Sequence, residues 1–172
     1  KKDLIRHLAT IRNSESIKGL KQVGTLYFAP DGKVKFEQNP KLKDLTRYKI
    51  QAGESKEGAV VIWEHPTENP PWGLYIGGCD PYDHDTAVTD SLGSIFIYKR
   101  VQAFESWYDV PVAEYTGRPD KADTFYETVR RLLMYYGATL LYENEKKGLF
   151  TYFVNKHCDY LLADQPSKLK DI

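Results

Sequence analysis

Apolar residues recur along this chain mostly in short runs. Thr25 to Phe28 and Val34 to Glu37 alternate apolar with polar positions on either side of Ala29-Pro30-Asp31-Gly32. Proline presets a turn dihedral and glycine accepts the positive φ of a tight reversal, so this pair predicts a β-hairpin. Ala59 to Trp63 is a further strand candidate, interrupted by Glu64-His65-Pro66 and then Pro70-Pro71. Those breakers place a boundary near residue 72. Beyond it, Leu74 to Cys79, Ser94 to Tyr98 and Val110 to Tyr115 are too short for persuasive helices. They are rich in β-branched and aromatic residues and read as strands.

One stretch has helical periodicity. Phe125, Val129, Leu132 and Tyr136 recur at i, i+4, i+7 and i+11, with Asp120 as the expected N-cap after Pro119 and Gly137 as the stop. Arg130 and Arg131 lie off that stripe. Ala138 to Tyr142 follows as a strand ending in Glu143. The polar turn Asn144 to Gly148 leads to a second helix over Leu149 to His157, and Tyr160 to Ala163 gives a last strand. The order after the boundary is β-β-β-α-β-α-β. Short links favour an antiparallel meander, while αβ crossovers add parallel strands to the same sheet. An α/β fold results, a mixed sheet flanked by helices, preceded by a small β-rich segment over residues 1–72. Residues 1–22 are polar and Lys-rich, with room for one short helix.

Composition narrows the class. The 172 residues carry 24 Lys+Arg against 24 Asp+Glu, with 13% aromatic residues, too many for a disordered chain. No stretch approaches the ~18 apolar residues of a membrane span. Two cysteines make no disulfide framework and fit a reducing compartment. The first residues, Lys1-Lys2-Asp3-Leu4, lack an initiating Met and an apolar signal region, so the chain reads as a piece of something longer. Zero net charge hides a polarity. Residues 1–72 hold 13 basic and 9 acidic side chains, and residues 73–172 hold 11 basic and 15 acidic. Asp80, Asp83, Asp85 and Asp90 are crowded together, which costs free energy unless water, a cation or protonation relieves it.

Asp80 and Glu143 share one setting, an acid closing an apolar strand. A carboxylate there is costly unless it is paired or bound to a cation, and the carboxyl ends of strands are where α/β sheets bind ligands. The two residues are 63 positions apart, but the first and fourth strands of a β-β-β-α-β sheet can lie side by side. Their oxygens would then form a site for Mg²⁺ or Mn²⁺, able to activate water in phosphodiester hydrolysis. The structural alternative is that Asp80 caps a turn with Pro81 while Glu143 pairs with Lys146 or Lys147.

The motifs Gly73-Leu-Tyr-Ile-Gly-Gly-Cys-Asp-Pro-Tyr-Asp83, Ser91-Leu-Gly-Ser94, Ala113-Glu-Tyr-Thr-Gly-Arg-Pro119 and Leu141-Tyr-Glu-Asn144 with Gly148 occur in that order. This run resembles the C-terminal nuclease domain of tailed-bacteriophage terminase large subunits over roughly residues 60–172. The resemblance implies a ribonuclease-H-like nuclease core over 73–172, with 1–72 joining it to an ATPase. It implies a metal-dependent endonuclease that cuts concatemeric double-stranded DNA during genome packaging. Asp80 and Glu143 would be its catalytic metal ligands, for Mg²⁺ or Mn²⁺ and for two ions. A third acid, on a helix after the fifth strand, is expected beyond Ile172; Asp164 and Asp171 come too early to stand in for it. The implied partners are DNA, an ATPase domain, a small terminase subunit and a portal, in the host cytoplasm and away from membranes. No G-x-x-x-x-G-K-[ST] occurs, so no ATP hydrolysis is expected of this piece.

Arg118, Lys146 and Lys147 are the candidate phosphate contacts. Asp83 and Asp85 read as solvated loop residues or outer-shell charge. Cys79 reads as a small core residue, since Cys79, His84, His157 and Cys158 lack zinc-site spacing. Gly77-Gly78 suggests close packing beside the metal, and Trp63, Trp72 and Trp107 read as core or boundary packing. Two other functions remain open: a recombinase or resolvase nuclease of the same fold, and a non-catalytic module docking DNA or the portal.

Overall fold

The computed structural model describes residues 21–46, 50, 53–82, 91–100, 110–143 and 147–164. The expected hairpin is present as β1 (Gln22–Phe28) and β2 (Val34–Gln38), paired antiparallel. Its turn closes through Gly32 N–H donating to the Ala29 carbonyl at 2.9 Å, with Gly32 at φ 78°, where a side chain is disfavoured. β3 (Val60–Ile62) pairs with β1 and with β6 (Val110–Gly117). β4 (Tyr75–Asp80), β5 (Gly93–Lys99) and β6 form the antiparallel meander, and β7 (Thr139–Tyr142) lies parallel to β4. The result is a mixed α/β fold with one seven-stranded sheet in the order β2-β1-β3-β6-β5-β4-β7.

α1 (Ala122–Tyr136) supplies the β6-to-β7 crossover and covers one face of the sheet. Its stripe residues Phe125, Val129, Leu132 and Tyr136 are all fully buried, against Tyr75, Ile95, Ile97 and Ile62. Burying side chains of this size contributes roughly 1.5 to 3 kcal/mol each. Gly77 faces this helix, and a Cβ there would stand 2.9 Å from Leu140 and 3.0 Å from Leu133. α2 (Gly148–Asn155) packs beside α1 through Leu149 and Phe153. Gly137 ends α1 in the left-handed conformation, as its position predicts.

Three details differ from expectation. α1 starts one residue later than Asp120 would cap, with Lys121 at the N-cap and no side-chain cap bond, so Asp123 is the acid in its first turn. α2 stops at Asn155, and His157 lies beyond it at φ 54°. The last strand shrinks to a 3₁₀ turn at Asp159–Leu161 and one parallel bridge, Leu140 to Leu162. Ala163 N–H donates to the Leu140 carbonyl at 2.8 Å, so the chain does reach the outer edge of β7. Among the described residues no helix is long and apolar enough to cross a membrane.

Candidate functional site

Parallel pairing of β4 with β7 decides where the two acids stand. Gly78 is opposite Leu141 and Cys79 opposite Tyr142, so Asp80 and Glu143 occupy the next position of both strands. Glu143 N–H donates to the Cys79 carbonyl at 3.3 Å, which extends the ladder to that point. Neighbouring strands run ~4.8 Å apart, within reach of two carboxylates converging on one ion. Burial along β4 alternates, with Tyr75, Gly77 and Cys79 inside and Ile76, Gly78 and Asp80 outside. Glu143 follows the exposed Leu141 by two residues and is itself exposed. Both acids therefore sit on the side away from α1, where a Cβ on Gly78 would meet nothing within 4 Å.

Among the described residues, neither carboxylate makes a hydrogen bond or an ion pair. The capping of a turn by Asp80 and the pairing of Glu143 with Lys147 are thus not features of this structure. Lys147 is exposed at the start of α2, while Lys146 lies outside the described residues, as do Asp83, Asp85, His84, Trp107 and Asp171. Cys79 packs inward as a core residue. Burial, with the Asp80 charge adding to it, pushes its thiol far up, so it stays protonated. Gly77 and Gly78 serve different ends: the first admits helix side chains, and the second leaves the open side clear. Trp72 is not packed at all, being 95% exposed in the turn before β4.

Arg118 comes to the same edge. β6 runs antiparallel to β5, with Thr116 opposite Ser94 and Ser94 opposite Asp80, and Arg118 follows β6 directly. Its Nη1 donates to the Ser91 carbonyl at 2.7 Å and to the Ser91 hydroxyl at 3.1 Å. Its guanidinium lies 4.4 Å from the centre of the Tyr82 ring. This end of the sheet therefore carries two acids on adjacent strands, on the side away from α1, and two strands along from Asp80 a guanidinium that rests on a ring packed against Phe125 of α1. Sequence reasoning missed Tyr82, whose role depends on a partner 36 positions away in a different strand end.

As a donor set, the two acids offer oxygen only, the ligand type that Mg²⁺ and Mn²⁺ prefer. Among the described residues no group of three or more His, Cys, Asp or Glu is gathered for a metal, and Asp164 does not join the pair. Comparison with known proteins brings no match: no family model fits the chain, and no curated protein and no solved structure is similar to it.

Proposed function

We propose that this chain carries the core of a divalent-metal-dependent endonuclease of ribonuclease-H-like architecture, of the kind found in phage DNA-packaging terminases. The observation that carries the reading is the placement of Asp80 and Glu143. They close neighbouring parallel strands, face the open side and have no protein partner among the described residues. A carboxylate without a protein partner is met by water or by a cation, and two on adjacent parallel strands are placed to share one ion. The strand order β6-β5-β4-β7, with a further parallel bridge on the outer edge of β7, agrees with that architecture.

Asp80 and Glu143 would hold the ion, and Arg118 would meet the phosphodiester backbone farther along the same end of the sheet. A bound Mg²⁺ or Mn²⁺ would supply water activation and charge neutralisation at the scissile phosphate. The residues' own part is to fix oxygen donors on rigid strand ends and to set a cation where a polyanion must approach. Calorimetric titration with Mn²⁺ tests this: the parent should bind, and Asp80→Asn should abolish both binding and plasmid nicking. Parental metal affinity in Asp80→Asn overturns the reading.

A further inference from the structure

Arginine has four rotatable side-chain bonds, and an arginine that only solubilises a surface is left loose. Arg118 is gripped. Its backbone N–H donates to the Lys56 carbonyl, Nη1 is anchored twice on Ser91, and the guanidinium plane rests on Tyr82. Tyr82 is itself immobile, being 2% exposed. Its hydroxyl donates to the Pro119 carbonyl at 2.8 Å, and its own carbonyl accepts from the Tyr126 hydroxyl at 2.6 Å. Phe125 backs the ring at 5.4 Å between centres. Gly93 makes room for both aromatics, because a Cβ there would fall 2.6 Å from Phe125 and 2.9 Å from Tyr82.

Tyr82 stands two residues after Asp80 and touches Arg118 through its ring and the following Pro119 through its hydroxyl. It ties the end of β4 to the end of β6 across the intervening β5. We propose that Tyr82 is a positioning residue which presents Arg118 to the phosphodiester backbone of a DNA duplex at the Asp80–Glu143 edge. The stack on a desolvated ring fixes a planar fork that a lysine ammonium cannot reproduce. Freezing the guanidinium before the ligand arrives removes an entropic cost from binding. This inference rests on the nuclease reading for the identity of the ligand, and its test separates the two.

The test measures binding of a fluorescently labelled DNA duplex by anisotropy, in Ca²⁺, over a range of salt, together with Mn²⁺ affinity by calorimetry. Arg118→Ala should weaken duplex binding about tenfold, the worth of one charge-assisted contact, and lower the salt slope by about one. Tyr82→Leu should reproduce most of both effects while leaving Mn²⁺ affinity within about twofold, and should add little to Arg118→Ala in the double variant. Tyr82→Phe keeps the ring and should restore near-parental binding. A purely structural Tyr82 would leave the salt slope unmoved.

Parental duplex affinity in Tyr82→Leu, or full additivity with Arg118→Ala, overturns the proposal. If Tyr82→Leu does not fold, Arg118→Lys decides: it keeps the charge and loses the stack, and parental affinity there is equally fatal. Asp80→Asn with unchanged Mn²⁺ affinity overturns the nuclease reading alone, because the Tyr82–Arg118 coupling is read in Ca²⁺-supported binding.

Discussion

On the outer side of α1, Glu127 is met from three directions, while at the ends of β4 and β7 the carboxylates of Asp80 and Glu143 accept no hydrogen bond from a described residue. Glu127 accepts from Arg130 Nε at 2.8 Å and Nη2 at 2.9 Å, from Arg131 Nε at 2.9 Å and from the Tyr152 hydroxyl at 2.8 Å. Arg131 reaches on to the Leu26 carbonyl at 2.8 Å, and Arg130 lies over the Phe28 ring at 4.7 Å. One carboxylate thus joins α1, α2 and the hairpin. The comparison separates charge that completes a fold from charge kept available. The first is saturated with donors inside the protein; the second is placed by backbone pairing alone.

The largest effect expected on stability comes from breaking the saturated cluster. Glu127→Ala leaves two guanidinium groups and a tyrosine hydroxyl without their acceptor and should cost about 2 kcal/mol, the scale of hydrogen bonds to a charged group. Denaturant unfolding of parent and variant measures it, and a loss near zero would show the cluster to be decorative. Next comes Gly93→Ala, which forces a methyl group against Phe125 and Tyr82 beneath the site edge. Overpacking of this kind should cost about 1 kcal/mol. Its ring displacements should also weaken duplex binding in the assay used for Tyr82.

Acid separates the regions more gently. Burial raises the Glu127 carboxyl, but hydrogen bonds from Arg130 and Tyr152 and the charges of Arg130 and Arg131 outweigh it and hold the group at about 2. Because the folded state binds that proton more weakly than the unfolded chain, the contribution is complete above the ordinary carboxylate range. It is lost as pH falls from about 4.5 towards about 2. Thermal unfolding across that window should show a steeper decline for the parent than for Glu127→Gln, and equal declines would remove Glu127 as the cause.

Much of this architecture was legible in local pattern. Short β-branched runs announced the strands, the stripe from Phe125 to Tyr136 announced α1, and Pro30 with Gly32 announced the hairpin turn. The side-by-side placement of Asp80 and Glu143 followed from topology, since a crossover helix after a three-strand meander returns the chain beside its first strand. What local pattern missed depends on tertiary partners. Tyr160 to Ala163 has strand composition but lies at a sheet edge with one neighbour, and only Leu162 pairs. Arg130 and Arg131 were legible only as lying off the apolar stripe, and their partners, the Leu26 carbonyl and the Phe28 ring of β1, come from a remote part of the chain. Tyr82 carries no local signal of its own, because the arginine stacked on it lies 36 positions away, just after β6.

The smallest stability effect is expected at the site itself, and its sign is the sharpest feature. Asp80→Asn and Glu143→Gln remove no described hydrogen bond and no ion pair, so without divalent ions each should shift stability by no more than about 0.5 kcal/mol. The direction should be upward, since each relieves repulsion between acids on adjacent strands. Adding Mn²⁺ should reverse the order. An ion bound only by the folded state raises the parental Tm with the logarithm of its concentration over the dissociation constant, and the variants, lacking a ligand, should not follow. Melting curves with and without Mn²⁺ therefore give a crossing that no defect of folding can imitate. Curves that keep the same order in both buffers would place Asp80 and Glu143 with Glu127 as structural charges.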